Sequence, residues 1–396
     1  MNIDWLIIGG GIHGVHVAVR LLAEGEISRE QLRIVDPADR LLDRWRRCTS
    51  RTGMTHLRSP SVHHLDQDPW ALQRFAGKRK KRRPGLFAAP YDRPALDLFN
   101  AHCDHVLERY ELSELHVQAR AVSGEISCDG VTVALSDGRR VVAKNIVLAM
   151  GVSEQPHWPD WAPRRSPRVQ HVFGLDNVRW PTSPETVAVV GGGISAGQTA
   201  LRLMREGHRV HLLSRHDLRQ HQFDSEPGWL GPKFMADFDR ERDLTRRRKL
   251  IAAARHRGSI PPDVRRNLHR AIQGGEIQWR KVEVERLEER EGALELTLSD
   301  GASLSVDRVL LATGFIDRRP GGELVDSLIA SASLPCAACG YPVVDSGLRW
   351  HPRVYVTGPL AELELGPTAR NIAGARRAAS KLVGAKPYMG AAVHAG

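Results

Sequence analysis

No run of the 396-residue sequence approaches the roughly 18 uninterrupted apolar residues that a membrane-spanning helix needs, so no membrane span is expected. Cysteine is sparse: 5 residues, an odd number scattered along the chain. That excludes the paired framework of a small secreted domain and points to a reducing, cytoplasmic compartment. The opening MNIDWLIIGGG lacks a basic start, and its apolar stretch is too short for a signal peptide. Lysine is scarce too. Of the 57 basic residues 9 are lysine, which leaves 48 arginines. Arginine's fixed, forked charge suits phosphates and carboxylates. The net charge of +11 is spread among acids along the chain, so nucleic-acid binding is not expected.

Disorder is excluded by a composition 41% hydrophobic and 26% charged, and the length suits two or three domains. The 36 glycines sit mostly in compact clusters, which suggests tight turns. Two segments repeat one plan. A strand over Trp5–Ile8 runs into GGGIHG, then a helix with Ile12, Val15, Val19 and Leu22 on one face, ending near Gly25. A strand over Leu32–Asp36 follows. The second copy has a strand at Thr186–Val190, GGGISAG, a helix over about Ala196–Glu206, and a strand at Arg209–Leu213. Each is a βαβ unit.

Each unit is followed by alternating runs around an Asp-Gly pair, Asp137-Gly138 and Asp300-Gly301, a strong hairpin signature. Each hairpin leads into a buried strand ending in glycine, Ile146–Gly151 and Val309–Gly314. The Pro-rich stretch Pro156–Pro184 crosses between the halves, with Trp158, Trp161 and Trp180 expected to pin them together. The polar, helical stretch of about 217–272 is expected as an insertion in the second copy. A last strand, Val354–Thr357, and a helix from about Ala369 close the chain. The expected fold is α/β, with two Rossmann-like three-layer dinucleotide-binding domains of the glutathione-reductase kind. The first is discontinuous, over 1–180 and 310–396, and the second covers 181–309.

Gly9, Gly11 and Gly14 fit G-x-G-x-x-G. The first allows the turn, the second admits a pyrophosphate to the backbone, and the third lets helix and strand pack. The helix N-terminus offers free N–H groups to phosphate. Asp36 stands 22 residues after Gly14, where an acid accepts hydrogen bonds from a ribose diol. Gly191, Gly193 and Ala196 fit the variant ending in alanine, with Ser195 in the same turn. No acid ends that second strand; Ser214 and Arg215 stand there instead, suited to a 2′-phosphate. The second turn therefore indicates NADPH. A second dinucleotide site on the same chain argues for electron transfer, with FAD on the first turn.

With these motifs the sequence resembles the two-dinucleotide-fold flavoproteins, and within them the flavin-dependent lysine and ornithine N-hydroxylases. The resemblance is carried by GGGIHG, by ATGF at Ala312–Phe315, and by Met54 followed by Asp68-Pro69. Tyr91-Asp92-Arg93-Pro94 with Leu96 and Phe99, and Phe223-Asp224-Ser225 with Pro227 and Trp229, are also similar to family segments. So are Val354–Gly358 and the Gly366-Pro367…Asn371 stretch. The resemblance implies that Met54, Gly358, Pro367 and Asn371 lie near the flavin, and Thr313 and Gly314 near NADPH. It implies an FAD- and NADPH-dependent monooxygenase in which O₂ forms a flavin hydroperoxide. A small-molecule nucleophile then takes oxygen, as in N-hydroxylation of an amine or amino-acid derivative. The chain departs from the family at Thr55, at Arg58-Ser59-Pro60 with His63-His64, and at Arg257-Gly258-Ser259. Relatives hold substrate and nicotinamide at these positions; Arg58, His63 and His64 are the candidates for orienting a substrate or shuttling a proton, with a histidine simply satisfied in a loop as the other reading.

Trp45, nine positions after Asp36, is expected beside the flavin or adenine. Cys336-Ala-Ala-Cys339 has no second pair, so a four-ligand zinc site is unsupported and no metal is expected. The basic run Lys78–Arg83 is expected as a solvated loop, with steering of anions as its other use. A flavin reductase or dehydrogenase without oxygen transfer would use the same two sites. A non-catalytic nucleotide sensor reaching an acidic partner through the basic run is a third reading. Self-association is left open.

Overall fold

The computed structural model describes residues 3–25, 27–78, 84–174, 179–290 and 292–384. All but the first residue of the basic run Lys78–Arg83 fall outside them. Two sheets carry the two βαβ repeats. In the first, the strands lie in the order Arg349–His351, Val354–Val356, Arg140–Leu148, Ile3–Ile8, Leu32–Asp36 and His116–Gln118. Ile3–Ile8 pairs parallel to both Leu32–Asp36 and Arg140–Leu148. Val131–Leu135 pairs antiparallel with Arg140–Leu148 as the expected Asp137-Gly138 hairpin, and Ala121–Ile126 adds a further antiparallel strand to it. The second sheet is parallel throughout, in the order Ile277–Lys281, Arg209–Ser214, Thr186–Val190, Arg308–Leu311 and Val169–His171.

Successive strand residues feed opposite cores, as a period of two requires. Ile7 and Val147 belong to one cluster with Val15, Val19 and Phe99, whereas Leu6, Ile8 and Leu148 belong to another with Leu324 and Val356. In the second sheet Val187 and Val189 join the cluster of Ala200 and Leu268, while Ala188 and Val309 face Leu294 and Leu296. Apolar cover on both faces makes each half a three-layer sandwich, the expected α/β class.

Three expectations are corrected. Val169–His171, placed by its sequence position in the first domain, pairs with Arg308–Leu311 in the second sheet. The chain therefore leaves the first sheet after Leu148 and returns to it only at Arg349. The helix Pro262–Gln273, assigned to the insertion, is the crossover into the strand Ile277–Lys281. Its Leu268 and Ala271 are buried in the second core, and Leu268 packs so near Gly197 that a Cβ there would lie 2.8 Å from it. Trp158, Trp161 and Trp180, expected between the halves, pack against the two cores of the second half.

The seam between the halves is made by arginines gripping backbone carbonyls. Arg44 donates to Ser153 O and Phe173 O at 2.5 Å, and Arg202 to Ser50 O at 3.0 Å and Arg51 O at 3.1 Å. The buried Arg93 pairs with Asp263 at 2.9 Å. A planar fork of five N–H donors satisfies several carbonyls at once, which lysine does not. Part of the arginine excess is structural.

Several histidines are buried and held neutral. Burial lowers His16 and His171 to about 3, and His64 to about 3 with help from His102. His102, also desolvated, is lowered to about 4. Below pH 6.5 the unfolded chain binds protons at these sites that the folded chain does not. Their contribution to stability is complete above 6.5 and is lost as the pH falls toward 3–4. The melting temperature is expected to drop steadily between pH 6.5 and 4. A flat melting temperature across that range would contradict the burial of these rings.

Candidate functional site

The first glycine turn shows why each glycine stands where it does. Gly9 has φ +113°, and a Cβ there would lie 2.7 Å from Ala149 O. At Gly14 a Cβ would lie 1.8 Å from Gly9 O, inside any contact distance. At Gly11 a Cβ would meet no atom within 4 Å. The second glycine thus borders a hollow, and the helix Ile12–Glu24 begins on it without a side-chain cap. Its first N–H groups remain available to an anion.

Asp36 ends the neighbouring strand. Its Oδ2 accepts from Gly10 N–H at 2.6 Å and its Oδ1 from Ala38 N–H at 2.9 Å. The carboxylate fixes the turn and keeps spare lone pairs for a diol. His13, not singled out from sequence, stands on the first helical turn with Nδ1 2.9 Å from Thr357 Oγ1. Its ring lies 3.6 Å from where a Gly358 Cβ would sit. Burial lowers its pKa to about 4, partly offset by the carbonyls of Arg370 and Asn371. His13 thus ties the turn to the closing segment, and its place between Gly11 and Gly14 was the available sequence cue.

The remaining first-half candidates are distributed differently. Trp45 donates from Nε1 to Asn100 Oδ1 at 3.1 Å and packs on Phe99, 5.4 Å between ring centres. Met54 is half-buried and lines a cleft of about 550 Å³ with Asn100, Arg202 and Arg205, which none of the turn glycines lines. Pro367 O accepts from Arg255 at 3.1 Å. The Asn371 side chain accepts from Gly374 N–H at 2.8 Å at the start of the last helix.

In the second turn Gly191 has φ +149°, and a Cβ there would lie 2.5 Å from Ala312 O. Ala196 is accommodated where Gly14 stands in the first copy, its Cβ 3.2 Å from where a Gly191 Cβ would sit. Gly193 starts the helix Ile194–Arg205, again without a side-chain cap, and Ser195 is half-buried in its first turn. Unlike Gly11, Gly193 faces protein: a Cβ would come 3.3 Å from Gly258 Cα. The His216 ring lies beside Gly192 and Gly258. Arg215 is exposed at the strand end and forms no ion pair with a described residue. Ser214 is buried; its hydroxyl donates to His216 O at 2.9 Å and accepts from Trp279 Nε1 at 2.9 Å. With its proton spent, the Ser214 hydroxyl has no hydrogen to offer another acceptor. Thr313 is likewise engaged: its hydroxyl donates to His157 O and lies 3.2 Å from His171 Nε2. Gly314 O accepts from His157 N–H at 2.9 Å.

Arg58 reaches across the seam. It donates to Gln222 O at 2.7 Å, His221 O at 2.8 Å and Ser259 Oγ at 2.9 Å. Burial lowers it to about 10 against the pull of Asp224. It is thus a tether between the first half and the insertion. His63 is half-buried, and burial with the charge of Arg376 lowers it to about 4. His64 cannot serve as an orienting group: it is fully buried, with Nε2 3.1 Å from Pro69 O and Nδ1 accepting from Asp66 N–H at 3.2 Å.

Residues 6–153 match the FAD-NAD(P)-binding family, and residues 87–243 the pyridine nucleotide-disulphide oxidoreductase family. No curated protein sequence matches the chain. Among solved structures it is similar to the ornithine N-hydroxylase KtzI of Kutzneria sp. 744, solved with reduced FAD, NADP⁺ and L-ornithine. That likeness has TM-score 0.76 at 17% identity, covering 97% of this chain and 98% of that one. The ornithine hydroxylase PvdA of Pseudomonas aeruginosa gives 0.74 at 17% identity, with the same coverage. The flavin-containing monooxygenase of Stenotrophomonas maltophilia gives 0.60 at 19% identity, covering 97% and 98%. The chain shares the fold of these hydroxylases and monooxygenases.

Proposed function

We propose that the protein is an FAD- and NADPH-dependent monooxygenase acting on a small-molecule nucleophile, with an amine or amino-acid derivative as the substrate class. The observation that carries this reading is the contrast between two uncapped glycine turns on one chain. One is followed by Asp36 and the other by Arg215. The likeness to ornithine N-hydroxylases supports it. FAD belongs on the first turn, in the half built around the strand Ile3–Ile8. There Gly11 leaves room for the pyrophosphate, and Asp36 takes the ribose diol. NADPH belongs on the second turn, in the half built around the strand Thr186–Val190, with Arg215 on the 2′-phosphate. When bound, the flavin supplies hydride acceptance and oxygen activation. The chain binds and orients, and His13 stays neutral at pH 7 where it joins the turn to Thr357.

O₂ is the co-substrate in this reading. The five free cysteines favour the cytoplasm, and no helix among the described residues is long and apolar enough to cross a membrane. Self-association is compatible with this chemistry because both turns lie on one chain.

The protein is expected to purify yellow, to bleach with NADPH without oxygen, and to consume O₂ when NADPH and substrate are supplied. An amine screen with ¹⁸O₂ checks the reaction: label in the product supports oxygen transfer. Colourless protein that takes up no added FAD would end the proposal. NADPH oxidation that yields only hydrogen peroxide with every amine favours the second reading, a flavin reductase. That reading draws on the pyridine nucleotide-disulphide oxidoreductase match.

A further inference from the structure

Outside the two turns, His221, Glu226 and His256 converge from opposite ends of the insertion. One ligand atom from each lies within 4.8 Å of the others. The two imidazoles stack with centres 3.7 Å apart and planes 22° apart. His256 Nε2 lies 3.6 Å from Glu226 Oε1. Its Nδ1 is 3.1 Å from Phe223 O, and a carbonyl only accepts. Nδ1 therefore carries a proton, and Nε2 is the ring nitrogen that faces Glu226. A metal-bound histidine is usually held by a carbonyl or carboxylate that accepts from its other ring nitrogen.

The backbone that carries these groups is held from several sides. His256 N–H donates to Asp224 O at 2.8 Å, and His221 N–H to Ile260 O at 3.1 Å. Arg219 and Gln220 pair with Ser259 and Ile260. Arg58 grips the carbonyls of His221 and Gln222. An ordinary histidine–glutamate pair would account for His256 and Glu226. It would leave the His221 ring stacked on its neighbour with no hydrogen-bond partner among the described residues.

We infer that His221, His256 and Glu226 bind one divalent first-row transition ion, of the kind that takes imidazole and carboxylate together. Tetrahedral zinc with bonds of about 2.0–2.2 Å puts its ligand atoms roughly 3.3–3.5 Å apart. Closing the cluster by about 1–1.5 Å requires the half-exposed His221 and the exposed Glu226 to turn, so that the ion lies in each ring plane. Water completes the coordination. The ion would clip the two ends of the insertion together beside the Arg58 tether. The site uses neither dinucleotide, so metal uptake and NADPH turnover succeed or fail separately.

Tag-free, full-length protein stripped with EDTA and titrated calorimetrically with Zn²⁺ is expected to take up one ion per chain at this site. His256→Ala and Glu226→Gln are each expected to weaken uptake at least tenfold. The Cys336→Ala/Cys339→Ala double variant is expected to bind as the parent does. Should His256→Ala fail to fold, His221→Asn carries the same comparison at a half-exposed position. The spectrum of Cu²⁺-loaded protein should show two imidazole nitrogens, reduced to one in His221→Asn. No uptake, uptake unchanged in the histidine and glutamate variants, or loss only in the cysteine variant would overturn the assignment.

Discussion

Gly11→Ala protein is expected to fold normally and to lose its flavin. A Cβ at Gly11 meets no protein atom within 4 Å, so the apo-protein should melt within about 1 °C of the parent. The same methyl would occupy the hollow into which a pyrophosphate must come close. FAD affinity should fall on the order of 100-fold, about 2.7 kcal/mol. Gly14→Ala is the contrasting case. Its Cβ would sit 1.8 Å from the carbonyl oxygen of Gly9, and backbone on both sides cannot move aside cheaply. The cost exceeds the roughly 1–3 kcal/mol of ordinary overpacking. That variant should be insoluble or melt about 10 °C lower. Flavin titrations and thermal scans of the two apo-proteins separate these outcomes. A Gly11→Ala protein that binds FAD like the parent would show that the hollow is not the pyrophosphate site.

Arg215→Ala is expected to convert a preference for NADPH into indifference between NADPH and NADH. An exposed guanidinium without an ion-pair partner among the described residues is free for the 2′-phosphate. A charged hydrogen bond of this kind contributes about 1.5–3 kcal/mol, or roughly 10–100-fold in KM for NADPH. KM for NADH and kcat with either coenzyme should change little, since only the distal phosphate is touched. Ser214→Ala should leave the preference intact, because that hydroxyl is already spent on His216 and Trp279. Steady-state kinetics with both coenzymes decides the matter. An unchanged preference in Arg215→Ala would place the phosphate elsewhere.

Much of the fold is legible in the sequence because its determinants are local. The alternation in Ile3–Ile8 and Thr186–Val190 and the spacing of apolar residues in the two helices act over a few residues. Gly9 and Gly14 are required by contacts within the same turn or with the adjoining strand end. Where the sequence misleads, a distant partner wins. Val169–His171 looks like part of the first half until Arg308–Leu311 pairs with it. His64 beside Arg58 reads from sequence either as a substrate-orienting group or as a histidine satisfied in its loop, and the packing of His102 and the Pro69 carbonyl decide for the second.

The doubled βαβ plan, the glycine turns and the opposed characters of Asp36 and Arg215 belong to the sequence alone, since backbone conformation and side-chain period are properties of short segments. Tertiary structure decided the rest. It brought His13 to Thr357 across 344 positions and Arg58 to Ser259 across 201, and it set His221 on His256. It also committed the Ser214 hydroxyl proton to the His216 carbonyl. Contacts of that span depend on how whole layers pack, and no periodicity within a strand or helix encodes them.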